Sequence, residues 1–318
     1  MAGHSSFRGV FAYPITPTKH DGAKVDERRL CELLDEFIQE GCHGIVVLGS
    51  TGAIGSFSQD ERKSLAKVTA RHVDGRVPLL VGTGAMTTHE AKELAVHAES
   101  IGANGLQVVP MSHWPLTEAE IYEHFEEIAA AVSVPIIVHN CPSLTGIDMK
   151  PPLLARLTEI ENVCYLKEGS GDQARAPMLR RLTKGAVPLF QDSETMALHG
   201  LLGGAEVWAT MTPNIFPKQS VELFELATVK KEVDGARRLF EQMFPVIEFV
   251  FEKSGIRALH TALEVLGRSA GLPRRPIRML GADDRATLKE LLRACGSMVR
   301  WTEQAAHLPT MNVTGGRS

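Results

Sequence analysis

Lys167 closes the apolar run Val163-Cys164-Tyr165-Leu166, and after Glu168 comes the turn Gly169-Ser170-Gly171-Asp172. A lysine at the exit of a buried strand is uncommon, because its ammonium is seldom taken out of water unless paired or functional. Burial disfavours the charged form and lowers a lysine's pKa. A neutral amine is needed to attack a carbonyl carbon and form an imine. The alternative is a side chain that lays its methylenes along the strand and carries its head to solvent. Which of the two applies depends on the residues that close the other apolar runs of the chain.

Those runs alternate with helical patterns. Residues 9–15, 44–48, 77–81, 105–109, 135–139, the Lys167 strand, 187–191 and 206–210 read as short buried strands. Between the first two, Asp26 caps a helix with Leu30, Leu33, Leu34, Phe37 and Ile38 at helical spacing, ended by Gly41. Ser58 and Glu61 form a capping box. Further helices are expected from about Thr87 to Ser100 and from near Thr117. Strands that alternate with helices in this way lie parallel, joined by right-handed crossovers. The fold expected is an α/β (β/α)8 TIM barrel over residues 1–215. A doubly wound open sheet is the competing fold, but Gly49-x-x-Gly52 lacks the spacing of a nucleotide-binding glycine fingerprint. After Pro217 the pattern turns helical, with Pro245 expected to kink or break one run and later segments over about 256–267 and 284–304. A C-terminal helical extension is therefore expected over 216–306 and a flexible tail over 307–318.

Composition narrows the function classes. The chain has 318 residues, a net charge of −4 and no basic block, which argues against a nucleic-acid partner. Cys31, Cys42, Cys141, Cys164 and Cys295 are odd in number and contain no C-x-x-C pair, so neither a disulfide framework nor a zinc site is expected. The twelve histidines lack H-E-x-x-H or clustered spacing, and no metal or cofactor is expected. Without a signal-like N-terminus or a bilayer-length apolar run, the expected location is cytoplasmic, with no membrane partner.

Active sites of (β/α)8 barrels sit at the C-terminal ends of the strands. The candidates are then Thr16, Ser50 and Thr51, Thr83, His113, His139 and Asn140, Lys167 and Glu168, Asp192 and Glu194, and Thr210. Hydroxyls and imidazoles around Lys167 favour the imine over the solvent-seeking lysine. Glu168 either tunes the lysine or serves as a salt-bridge partner. The Gly49-Ser50-Thr51-Gly52 turn before a helix suits an anion through its backbone N–H groups.

Four motifs in order carry a resemblance. They are Thr16-Pro17, Gly49-Ser50-Thr51-Gly52, Asn140-x-Pro142 with Thr145-Gly146, and Leu166-Lys167-Glu168-x-x-Gly171-Asp172. Over about 7–300 the chain resembles the dihydrodipicolinate synthase / N-acetylneuraminate lyase family. The resemblance implies a homotetramer, a dimer of dimers, and an imine between Lys167 and a small 2-oxo acid, commonly pyruvate. It also implies that Ser50 and Thr51, with the turn at Gly52, hold the acid's carboxylate. Where the family has a tyrosine at the end of strand five, this chain has His139, and a second tyrosine position falls at His113 or is lost. Imidazole titrates near neutrality and can relay protons, so His139 and Thr51 are assigned the proton transfer, and His113 is given no role. Thr16, Asp192 and Thr210 are the remaining substrate-binding candidates. The synthase branch carries an arginine where this chain has Leu144, which argues against true dihydrodipicolinate synthesis. Pro110-Met111-Ser112-His113-Trp114 and Thr145-Gly146-Ile147-Asp148-Met149 resemble members of uncertain substrate, among them sugar-acid dehydratases. The expected function is a Schiff-base-forming lyase on a small 2-oxo acid. Two alternatives remain open: a dehydratase or deaminase using the same imine, and a degenerate barrel that only binds an oxo acid.

Overall fold

The structure is a computed structural model that describes residues 7–19 and 22–300. The tail expected over 307–318 lies outside these residues, as do positions 301–306. Eight parallel strands close in sequence order into one barrel. They are β1 (Gly9–Ala12), β2 (Gly44–Val47), β3 (Leu79–Gly82), β4 (Gly105–Val108), β5 (Ile136–Asn140), β6 (Val163–Glu168), β7 (Leu189–Gln191) and β8 (Val207–Thr210). The expected (β/α)8 TIM barrel with C-terminal helices is the fold observed. Strand one is shorter than expected. It ends at Ala12, and Tyr13 leaves it with its N–H donating to the Thr210 carbonyl at 2.9 Å.

The helices α1 (Glu27–Gln39), α2 (Gln59–Val73), α3 (Thr88–Ser100), α4 (Glu118–Ala129), α5 (Pro142–Thr145), α6 (Pro151–Leu157), α7 (Arg175–Leu182) and α8 (Ala197–Leu202) connect the strands. Their starts follow local chemistry. Asp26 accepts from the Arg29 N–H, and Ser58 with Glu61 and Thr117 with Glu120 form complete capping boxes. Each strand side chain facing outward meets a helix, and each facing inward meets the lumen, because the side-chain period of a strand is two. The lumen is packed with Phe7, Phe11, Val46, Leu80, Ile137, Tyr165, Phe190 and Val207. Phe7 and Tyr165 stack at 5.0 Å, and Tyr165 meets Phe190 edge-on at 5.4 Å.

The C-terminal helices are α9 (Pro217–Phe224), α10 (Val233–Glu252), α11 (Ile256–Val265) and α12 (Ala282–Ala294). Local rules expect Pro245 to interrupt the second of these, yet α10 runs through it. Phe240 and Met243 before the proline, and Val246, Ile247 and Val250 after it, are all buried. That packing offsets the hydrogen bond the ring removes, about 3 kcal/mol in an interior helix position. Two arginines tie this region to the barrel. Arg268 pairs with Glu36 of α1, and Arg274 reaches Glu61 of α2 at 2.5 and 2.8 Å while its guanidinium lies 4.5 Å over the Phe57 ring.

The lumen packing predicts a large cost for Phe190→Ala. Truncating this side chain leaves a cavity among Phe11, Tyr165 and the lysine layer above, so urea denaturation should show a loss of about 3–5 kcal/mol. Leu202→Ala, at an exposed position, should barely move the midpoint.

Candidate active site

Three adjacent strands deliver the central groups by register. His139 of β5 pairs with Lys167 of β6, which pairs with Phe190 of β7. Two residues beyond Ile137, Tyr165 and Phe190, the period of two turns His139, Lys167 and Asp192 to the same inner side. They form a layer at the C-terminal mouth, directly above the aromatic filling. Lys167 is 3% exposed, and its Nζ lies 2.5 Å from Asp192 Oδ1. The other carboxylate oxygen, Oδ2, accepts from His139 Nε2 at 3.1 Å.

This arrangement corrects the expectation of a lysine with a lowered pKa. Burial does push the ammonium in that direction, but the Asp192 charge opposes it, helped by Tyr13 and the hydrogen bond to Asp192. The net result holds the Lys167 amine above its ordinary value. Burial likewise works against the Asp192 carboxylate, yet Lys167 and His139 hold it well below the usual carboxylate range. The resting site is thus an ammonium–carboxylate pair. His139 is shifted down by burial and by the neighbouring ammonium, so its imidazole is neutral at pH 7. An ionised carboxylate can only accept, so the Asp192 contact places the proton on Nε2. His139 Nδ1 then carries the lone pair, and it has no hydrogen-bond partner among the described residues.

Two residues absent from the sequence-derived candidates complete the layer. The apolar pattern puts Tyr13 inside strand one, but it stands just past the strand end with its ring 4.5 Å from Lys167 Nζ. Its hydroxyl donates to Gln107 Oε1 of β4, and burial raises its pKa to about 12. The signals were a lone glutamine within the apolar Gly105–Val109 run and a tyrosine next to the Pro14 that follows the first strand. Two glycines make room for these groups. A Cβ on Gly49 would overlap the Tyr13 ring, and one on Gly169 would overlap Asp192 Oδ2.

Beside Gln107 and His139 lies a cavity of about 230 Å3, which Ser50 also lines, while Lys167 and Asp192 stand behind its wall. The turn 49–52 borders it and is tightly wound. Gly49 O and Ser50 O accept from Ile54 and Ala53, while Leu48 and Ala53 on either side take left-handed φ values of 59° and 56°. Non-glycine residues held there carry strain of order 1–3 kcal/mol each, a cost that clusters at functional sites. Gly49 and Ser50 of this turn lie on the cavity wall, whereas Thr51 and Gly52 do not. Thr16 donates to the Gly52 carbonyl at 2.8 Å. Thr210 donates to Glu194 Oε2 at 2.5 Å, and Glu194 also accepts from Met211 N and Thr212 Oγ1. Both threonine hydroxyls therefore donate to the protein frame. His113 is exposed, packed edge-on to Trp114 at 5.1 Å.

Glu168 belongs to a supporting network. It accepts from Asn140 Nδ2 at 3.1 Å and from Ser170 N at 2.6 Å, and Arg175 approaches it at 3.7 Å. Arg175 grips Asp148 with two bonds of 2.6 and 2.9 Å, and Asn140 accepts from Met149 N. These contacts bind the ends of β5 and β6 together and hold the register that aligns His139 with Lys167. His139, Cys141 and Asp192 place ligand-type atoms within 4.8 Å of one another, the spacing of a three-ligand cation site. The ammonium of Lys167 already sits on that carboxylate and supplies the positive charge.

The lowered His139 pKa carries a stability consequence. The folded state binds the imidazole proton less readily than the unfolded chain does, so this contribution is complete above about pH 6.5 and declines as pH falls toward the folded-state value. His124 and His260, also shifted down by burial, act in the same sense. Melting temperature should fall as pH is lowered from about 6.5 to 5, and His139→Phe should flatten part of that slope.

Comparison with known proteins converges on one family. The profile of the dihydrodipicolinate synthetase family matches residues 6–295. The 4-hydroxy-tetrahydrodipicolinate synthase of Persephonella marina is 32% identical over 293 residues, covering 91% of this chain and 99% of that protein. The enzyme of the same name from Kosmotoga olearia is 30% identical over the same shares. Among solved structures, the dihydrodipicolinate synthase of Aquifex aeolicus superposes with a TM-score of 0.86 at 27% identity, over 90% of this chain and 97% of that one. The chloride-inhibited dihydrodipicolinate synthase of Acinetobacter baumannii, complexed with pyruvate, gives 0.85 at 30% identity, over 91% and 98%. The chain belongs to the dihydrodipicolinate synthetase family, and it is a lyase of the aldolase type.

Proposed function

We propose that Lys167 forms an imine with the carbonyl of a small 2-oxo acid of the pyruvate kind, and that the enzyme makes or breaks a carbon–carbon bond through it. The observation that carries this reading is the lysine itself: an enclosed ammonium, 2.5 Å from one carboxylate, whose other oxygen meets His139 on the wall of a cavity. Pyruvate bound in the Acinetobacter baumannii relative supports the same acid class here.

The steps balance without an outside reagent. Asp192 takes a proton from the Lys167 ammonium, and the free amine adds to the 2-carbonyl carbon. Asp192 returns the proton to the carbinolamine hydroxyl, which leaves as water. The product is an iminium cation, so the charge beside Asp192 is +1 before and after. The carboxylate that held the ammonium now holds the iminium. In the cleavage direction the iminium draws in the electrons of the bond between C3 and C4, and His139 Nδ1 accepts the proton of the C4 hydroxyl. Protonation of the enamine at C3 and addition of water release the 2-oxo acid and restore the lysine. The oxo acid's carboxylate is assigned to the turn at Ser50 and Thr51, whose backbone N–H groups and hydroxyls suit an anion. Tyr13 and Gln107 also bound the reacting centre.

A homotetramer belongs to the same proposal. Trp114, 73% exposed, presents a large apolar side chain on the segment after β4. Light scattering would read the mass against multiples of 34.7 kDa.

Incubation with pyruvate and borohydride should leave a reduced adduct on Lys167, found by peptide mass spectrometry, and Lys167→Arg should leave none. Absence of an adduct across a set of 2-oxo acids would remove this reading. Asp192→Asn removes the charge that holds the lysine protonated, so the pH midpoint of trapping should move down by about one unit or more. An unchanged midpoint would strip Asp192 of its role.

A further inference from the structure

The cavity beside His139 has a mixed wall. Its polar side chains are Ser50, Ser56, Gln107, His139 and Thr145. The rest of the wall includes Ile54, Val109, Met111, Leu144 and Ile256, the last brought over the mouth by the first turn of α11. Among the described residues, no lysine or arginine lines it. The cations nearby are committed elsewhere. Lys167 is paired with Asp192, Arg62 donates behind the wall to the Gly82 and Gly84 carbonyls at 3.4 and 2.8 Å, and Arg274 is held by Glu61. At about 230 Å3 the space equals roughly eight waters at ~30 Å3 each, more than a three-carbon acid occupies. A second substrate component therefore shares the cavity, lying against the apolar wall. A carboxylate there would meet no cation from the wall and would lie against apolar side chains.

Building on the imine reading, we propose that the second component is an uncharged, apolar aldehyde, aliphatic or aromatic. The full substrate is then a 4-hydroxy-2-oxo acid whose C4 substituent is hydrophobic. In cleavage, the C3–C4 electrons pass to the iminium, the C4 hydroxyl proton passes to His139, and the apolar aldehyde leaves by the mouth. In condensation the same atoms return in reverse order. Leu144 is the residue through which the wall rejects an anion, being both on the cavity and largely open to solvent.

The test is condensation of saturating pyruvate with benzaldehyde, isobutyraldehyde, succinic semialdehyde and glyceraldehyde, with borohydride trapping run in parallel. Benzaldehyde or isobutyraldehyde should exceed succinic semialdehyde in kcat/KM by roughly tenfold or more. Leu144→Arg should raise succinic semialdehyde use and lower that of the apolar aldehydes, while Leu144→Gln should leave the anion rejected. Pyruvate trapping on Lys167 is recorded for both variants, so that a change in aldehyde choice is read apart from a change in imine formation. A trapped pyruvate adduct with equal or better use of succinic semialdehyde or glyceraldehyde overturns the aldehyde assignment alone. So does an adduct with no condensation by any of the four. A failure to trap pyruvate at all overturns the imine reading, and this inference with it.

Discussion

An ammonium enclosed by a barrel lumen must be neutralised, and Asp192 is what neutralises Lys167. Removing one partner of a buried pair costs about 3–5 kcal/mol, because the other charge is left without water or counter-ion. The rest of the site depends on seating that carboxylate. Gly169 lacks a side chain where Asp192 needs the space. His139 meets the second oxygen, and that contact decides which ring nitrogen holds the proton. The ends of β5 and β6 are locked by Asn140, Glu168, Asp148 and Arg175, which keeps His139 level with Lys167.

The barrel divides its lumen by height. The lower levels are aromatic and aliphatic, with Phe7, Phe11, Tyr165 and Phe190 in mutual ring contact. The level at the strand ends is polar, with Tyr13, Gln107, His139, Lys167 and Asp192. Dense apolar packing below keeps water from reaching the ion pair from that side, so the exchangeable face is the mouth. There the C-terminal helices take part, because α11 places Ile256 on the cavity wall and Arg268 and Arg274 anchor its surroundings to α1 and α2.

Where the family resemblance puts a tyrosine at the end of strand five, this chain has an imidazole and a carboxylate in contact. A phenol does stand beside the lysine, but it comes from the end of β1 and is held by Gln107. With a pKa raised to about 12, Tyr13 stays protonated through the neutral range. That leaves His139 Nδ1, which has no hydrogen-bond partner among the described residues, as the open acceptor of the layer.

The order of strands and helices, the closed parallel barrel and the placing of Lys167 and His139 at strand ends were all legible in the sequence, because they rest on local patterns. Continuous apolar runs, helix caps and a period of two need no knowledge of what lies across the barrel. Helix α10 shows where such reading stops, since its burial overrides the proline that local rules count as a breaker. The protonation state of Lys167 shows it more sharply. Burial by itself predicts a lowered pKa, and only the closure of the sheet brings Asp192, twenty-five positions away, to 2.5 Å and reverses the sign. Tyr13 and Gln107 became neighbours for the same reason, ninety-four positions apart in the chain. Residue types and strand periodicity are properties of short segments, whereas the electric field at a nitrogen is a sum over everything that the fold carries within a few ångströms of it.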